Sequence, residues 1–177
     1  MKDCKTLTGI LAVGLLAVAP MFAQTPQSGS ANRLAAGDHT FVTKAAEGGM
    51  AEVKLGNLAK EKASNAGVKS FGEQMVTDHS KANDELKTLA SSKGITLPTD
   101  VSAKDQAEYD RLSKLSGADF DRAYMKLMVS DHHTDVNEFR RESQHGTDAD
   151  IKAWAGKTLP TLEHHLQMAE STDAKVK

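Results

Sequence analysis

Residues 68–90 read VKSFGEQMVTDHSKANDELKTLA, and the spacing of their apolar side chains decides the fold. Val68, Phe71, Met75, Ala82, Leu86 and Leu89 fall three or four positions apart once His79 is counted among them. That is the period of one face of an α-helix. The turn-type cluster Ser64-Asn65-Ala66-Gly67 precedes the stretch, and Gly94 follows it with Pro98 just beyond. A helix over about Val68 to Lys93 is therefore predicted, carrying one imidazole on its inward stripe.

The same reading extends in both directions. Asp38 to Ala63 forms a first long helix, Ala118 to His145 a third that ends at Gly146, and Thr147-Asp148 begins a fourth reaching about Ser171. Ser102 is placed to cap a shorter helix over residues 103–114. Pro160 has no amide proton and clashes with the carbonyl of Gly156, so it is expected to kink or split the fourth helix. No segment keeps a period-two alternation, which argues against a sheet. The predicted fold is all-α, a four-helix bundle with a short extra helix in the connection between helices two and three. Met75-Val76-Thr77-Asp78-His79 recurs as Met128-Val129-Ser130-Asp131-His132, and Phe71 is echoed by Tyr124 and Glu85 by Glu138. The repeat points to a shared role for the second and third long helices.

The chain has 177 residues, with 22 Lys+Arg against 24 Asp+Glu, so its formal charge is −2. A protein that works by neutralising nucleic-acid phosphates is usually strongly basic, and no nucleic-acid partner is expected. Its single Cys excludes a disulfide framework and any multi-cysteine zinc or iron–sulfur site. Aromatic residues are only 5% of the chain, so the core must rest on Ala, Leu, Val and Met.

The N-terminus reads as an export signal. Lys2 and Lys5 precede an apolar run from Leu7 to Ala19, too short to span a bilayer of ~30 Å. Ala23 is the expected last residue before cleavage, giving a signal peptide over residues 1–23. Cys4 lies ahead of the apolar run and cannot be an acylated lipoprotein cysteine. A flexible leader over 24–37, a bundle domain over 38–171 and a tail over 172–177 follow. The mature chain then has no Cys and no transmembrane span. It is expected in the periplasm or at the outer membrane, in association with the cell envelope.

Four helices each place one ligand-type side chain on the apolar stripe: Glu52, His79, His132 and His165. Glu52 and His79 lie at matching depth from the turn between their helices, roughly 20 Å along each. His165 lies further from the turn at Gly146 than His132 does, so the fourth helix fits less well. A carboxylate and three imidazoles at mid-bundle cost several kcal/mol if left unsatisfied. Three arrangements are open. A divalent metal (Fe, Zn, Mn or Cu) collects them, with Asp78 and Asp131 as further ligands or as acceptors for the imidazoles' second nitrogens. Alternatively they satisfy one another without metal, or the third helix turns His132 to solvent. Met75 and Met128, one turn before their histidines, make a copper–thioether site conceivable, though methionine at this spacing is more often core filler. Gly48-Gly49 reads as a close helix approach or a bend.

The segments KAAEGGMAEVKLGNLAKEKA, VKSFGEQMVTDHSKANDELKTLA, KGITLP, YMKLMVSDHH and KTLPTLEHHLQMA together resemble the exported bacterial family of domain of unknown function 4142. The resemblance covers roughly residues 38–170. It implies a ferritin-like helical bundle and an exported protein whose relatives are labelled as membrane or outer-membrane proteins, but no activity. His79, His132 and His165 fall on the family's DH, DH and LPxLxxHL positions. Iron-oxidising ferritin-like proteins use paired Glu-x-x-His motifs, and no such pair stands at these histidines, which argues against a di-metal oxidase. The reading that results is a small binding or stress-associated module holding one divalent metal. The alternative is a metal-free structural or interaction protein of the cell envelope.

Overall fold

The computed structural model describes Met1 and residues 34–177. The expected signal peptide, apart from Met1, and most of the expected leader lie outside the described residues. Five helices follow in order: α1 (Ala36–Lys62), α2 (Ala66–Ser92), α3 (Ala103–Ser113), α4 (Gly117–His145) and α5 (Ala149–Val176).

Local chemistry sets the helix ends. The Asn65 side chain accepts from the Gly67 amide at 2.8 Å, Ser102 from Asp105, and Asp148 from Asp150 and Ile151. α2 stops where Gly94 turns left-handed, at φ 67°, and lets the Ile95 amide reach back to the Ala90 carbonyl at 2.9 Å. The outer limits of the bundle and the course of α5 differ from the sequence reading. α1 takes up the last two residues of the expected leader, α5 continues through most of the expected tail, and Pro160 does not split α5. Pro160 lies on the exposed face, so the helix loses one ladder bond there and keeps its buried stripe in register.

α1 pairs with α2 and α4 with α5, while α2 also packs on α5 and α1 on α4; α3 lies against α1 and α4. Two apolar clusters fix the helix directions. One holds Leu55, Ala59, Val68, Phe71, Phe120, Tyr124, Met128 and Ala169; the other holds Phe41, Leu86, Val136, Phe139, Ile151, Trp154 and Leu162. α2 and α4 therefore run parallel on one diagonal, with α1 and α5 parallel on the other. This up-down-down-up connection, crossed by α3, is that of a ferritin-like bundle.

The close approach of α1 and α2 falls at Gly56 and Gly72, not at Gly48-Gly49. A Cβ on Gly56 would stand 2.7 Å from the Gly72 carbonyl oxygen. Gly49 is instead covered by the side chain of Asn83.

Two buried aspartates tie the hairpins to each other. Asp38, on the first turn of α1, accepts from the amides of Thr147 and Asp148 at the α4–α5 turn. Asp121, on the first turns of α4, accepts from the amide and hydroxyl of Ser64 and the amide of Asn65 at the α1–α2 turn. These two residues stand 83 positions apart. The same offset pairs Phe41 with Tyr124, Glu52 with Asp135, Val68 with Ile151 and Phe71 with Trp154. The two hairpins are thus built to one plan.

Candidate metal centre

Between the two apolar clusters lies a polar layer. The Met-Val-x-Asp-His repeat sits on the parallel diagonal pair α2 and α4, so His79 and His132 meet at one level, and α5 delivers His165 to the same place. The ring centroids lie 5.8 Å apart for His79–His132, 5.3 Å for His79–His165 and 5.4 Å for His132–His165. All three side chains are buried, and one ring nitrogen of each lies within 4.8 Å of the others.

Hydrogen bonds select which nitrogens stay free. His132 Nδ1 donates to the carbonyl oxygen of Met128 at 3.0 Å. His165 Nε2 donates to Asp78 Oδ2 at 2.8 Å. Each imidazole thereby carries its proton on the nitrogen with an acceptor, and the opposite nitrogen keeps a lone pair. Those remaining atoms, His132 Nε2 and His165 Nδ1, are buried without a hydrogen-bond partner among the described residues, as is His79 Nε2. Asp78 and the Met128 carbonyl occupy the positions that carboxylates and carbonyls take behind metal-bound imidazoles.

Electrostatics favour neutral rings. Burial, then the neighbouring His132 and His165, pushes the His79 pKa well down. Burial brings His132 to about 4, with His165 adding to the effect and the Met128 carbonyl opposing it. His165 is lowered by burial despite the opposing pull of Asp78. All three are metal-competent bases at neutral pH.

Of the six site residues expected from sequence, the structure brings four together: Asp78, His79, His132 and His165. Glu52 is buried but sits behind the triad. Its Oε1 stands 4.0 Å from His132 Nδ1, the nitrogen already committed to Met128, and its Oε2 has no partner among the described residues. Burial, followed by the charges of Asp135, Asp131 and Asp105, raises its pKa well above the usual carboxylate range. Glu52 is thus a carboxyl held toward its neutral form beside the site, not a member of the nitrogen cluster. Asp131 likewise stands outside the group of three imidazoles. One position before His132 on α4, it points about 100° round the helix and lies in the field of Lys104, Asp105 and Glu108 on α3. The thioether groups of Met75 and Met128 belong to the apolar cluster.

Asp135, Asn83 and a small cavity were not singled out in the sequence. The cavity, of about 40 Å³, is bounded by all four long helices and lined by Gly48, Gly49, Asp78, His79, Asn83, Asp135 and His165, among others. Burial, with Asp131 and Glu138 adding to it, pushes Asp135 up to about 7. The signal available was position alone: Asn83 follows His79, and Asp135 follows His132, by one helical turn.

Among the described residues the imidazoles form one three-nitrogen cluster, and no second group of three ligand-type side chains converges.

The model of the family described as Domain of unknown function (DUF4142) matches residues 23–172, and the chain belongs to that family. No curated protein matches it. Among solved structures it is similar to a DUF305 fragment from Deinococcus radiodurans, with a TM-score of 0.70 and 14% identity over 80% of this chain and 98% of that one. It is also similar to a DUF305 protein from Streptomyces coelicolor, with a TM-score of 0.68 and 14% identity over 79% of this chain and 92% of that one. At this identity the likeness concerns the fold. No helix among the described residues is long and apolar enough to cross a membrane.

Proposed function

We propose that the protein is an exported module that binds one divalent transition-metal ion through His79 Nε2, His132 Nε2 and His165 Nδ1. The observation that carries this reading is three buried imidazoles converging from three helices, each keeping one nitrogen without a hydrogen-bond partner among the described residues. An imidazole network that served structure alone would be expected to bond its rings to one another. Here each ring whose proton is placed directs it away from the cluster. Three neutral imidazoles suit zinc, copper(II) or iron(II) better than magnesium or calcium. A metal at about 2.0–2.1 Å from each nitrogen would draw them to roughly 3.4 Å apart, a closure well within side-chain adjustment. Export is supported by the charged, apolar and small-residue pattern of residues 1–23. It is also supported by the Streptomyces coelicolor structure, described as a "putative secreted protein". A periplasmic or outer-membrane location belongs to the same proposal.

Titration of the metal-stripped protein with zinc, copper(II), manganese and iron(II) tests it. One equivalent of a fitting ion should bind, and at 100 times its Kd stability should rise by about 2.7 kcal/mol. A melting temperature that none of these ions moves would leave the metal-free envelope protein as the better reading.

A further inference from the structure

The second inference rests on the metal reading above and concerns what completes the coordination. The three nitrogens come from α2, α4 and α5, and α1 contributes none. The offset of 83 residues that relates the two hairpins pairs His132 on α4 with Gly49 on α1. Where one hairpin places an imidazole, the other places no side chain. The space on that side is the cavity, whose wall includes His79 and His165 themselves. A tetrahedral site with three protein nitrogens keeps one position for a small ligand, and about 40 Å³ is room for one or a few waters.

We propose that this fourth position takes an exchangeable water molecule entering from the cavity, with Asp135 and Asn83 as the groups that orient it. The charge of the walls favours a neutral proton donor over an anion. Asp78, Asp135 and Glu138 line the cavity, and the one lysine there, Lys44, is already paired with Glu138. A bound water has two protons to donate. Among the lining side chains, Asp135 makes no hydrogen bond to another side chain of the described residues and is available to accept one. The Asn83 amide lies over Gly49, with Oδ1 only 2.0 Å from where a Cβ would stand, so it occupies the room that the glycine leaves.

Copper(II)-loaded protein tests the proposal through the relaxation rate of bulk water protons, which rises when the metal exchanges a bound water. Ala82 lines the same cavity one turn from His79, and Ala82→Leu fills it without removing a nitrogen. Ala45→Leu fills it from α1 and serves if the first variant folds poorly. The native chain should show inner-sphere relaxation, and a filled variant should bind copper with little change in affinity and lose that enhancement. Asp135→Asn, read at saturating copper, should alter the exchange rate of the bound water. Copper that binds with equal, outer-sphere relaxation in native and filled chains would overturn the fourth-ligand proposal alone. No copper binding in the native chain would overturn the metal reading itself.

Discussion

Asp78 on α2 and His165 on α5 are joined by a 2.8 Å hydrogen bond, and that contact decides which nitrogen of His165 faces the other imidazoles. With Nε2 donating to the carboxylate, Nδ1 is left toward the cluster. Removing the acceptor frees the tautomer and the ring. Asp78→Ala is expected to weaken metal affinity about 10–100-fold, the usual effect of removing a partner behind a metal-bound imidazole. Competition against a chelator measures it. Unchanged affinity would show that the carboxylate does not hold the ring.

The imidazoles themselves should stabilise the loaded protein and burden the metal-free one. His132 is fully buried with Nε2 unpartnered, a polar atom removed from water without recompense. His132→Leu should keep or raise the melting temperature of the metal-free chain and abolish the metal-dependent rise. Thermal melts with and without zinc separate the two effects. A large loss of metal-free stability would mean that the rings form a cohesive network by themselves.

The helices, the three imidazoles and Asp78 were legible in the sequence because the stripe repeats every three or four residues, and because a histidine falls on it in α2, α4 and α5. It could not show the role of Glu52. A carboxylate on the inward face of α1 is indistinguishable by spacing from a ligand, but α1 meets α4 from the side of His132 that carries the proton. Asp131 stands apart for a related reason. It matches Asp78 in the repeat, yet the helix beyond α4 is α3 with its own acidic residues, not an imidazole. The misfit in depth of His165 also disappears in space. The turn itself takes up residues 146–148, and helical side chains lean toward the N-terminus of their own helix, away from that turn for His132 on α4 and toward it for His165 on α5, so the two rings meet. Asp38, Asp121 and Asn83 act through contacts 34 to 110 residues away in sequence, and no local pattern announces those.

Stability of the metal-free chain should depend on pH in opposite senses through His132 and Glu52. The folded pKa of His132 is about 4, against 6.5 ordinarily. Between those values the unfolded chain binds a proton that the folded chain does not, so the folded state loses ground as pH falls from 6.5 to 4. The loss is of the order of 3 kcal/mol. His132→Leu should therefore gain on the native chain across that interval, as read from urea midpoints at each pH. A difference independent of pH would mean that the buried ring already carries its proton.

Glu52 works the other way. Its folded pKa is raised, so the stability it lends to the neutral form is present below pH 4.5 and is lost as pH rises toward its folded value. Glu52→Gln keeps the shape and removes the charge. The variant should match the native metal-free chain near pH 4 and exceed it increasingly toward pH 8. Its Tyr124 neighbour, raised by burial and by Glu52, stays un-ionised throughout this range. If the native chain gained on Glu52→Gln as pH rose, the buried carboxylate would have to be stabilised by a partner.

The two buried aspartates make unequal demands. Asp121 accepts from the Ser64 amide at 3.1 Å, the Ser64 hydroxyl at 2.5 Å and the Asn65 amide at 2.9 Å, so one carboxylate serves the whole α1–α2 turn. Charge-assisted bonds of this kind contribute about 1.5–3 kcal/mol each and do not add fully. Asp121→Ala should cost roughly 3 kcal/mol, or about 6–12 °C in melting temperature for a domain of this size. Asp38 accepts two amides at the α4–α5 turn, but the neighbouring Glu142 has its pKa raised by burial first and then by Asp38, through its charge and a hydrogen bond. Removing Asp38 lets Glu142 ionise more readily beside the same orphaned amides. Asp38→Ala should therefore cost less than Asp121→Ala, and the double variant Asp38→Ala/Glu142→Gln should restore the larger penalty. Melting temperatures of the three variants at neutral pH measure the order, and an Asp38→Ala loss as large as that of Asp121→Ala would exclude compensation by Glu142.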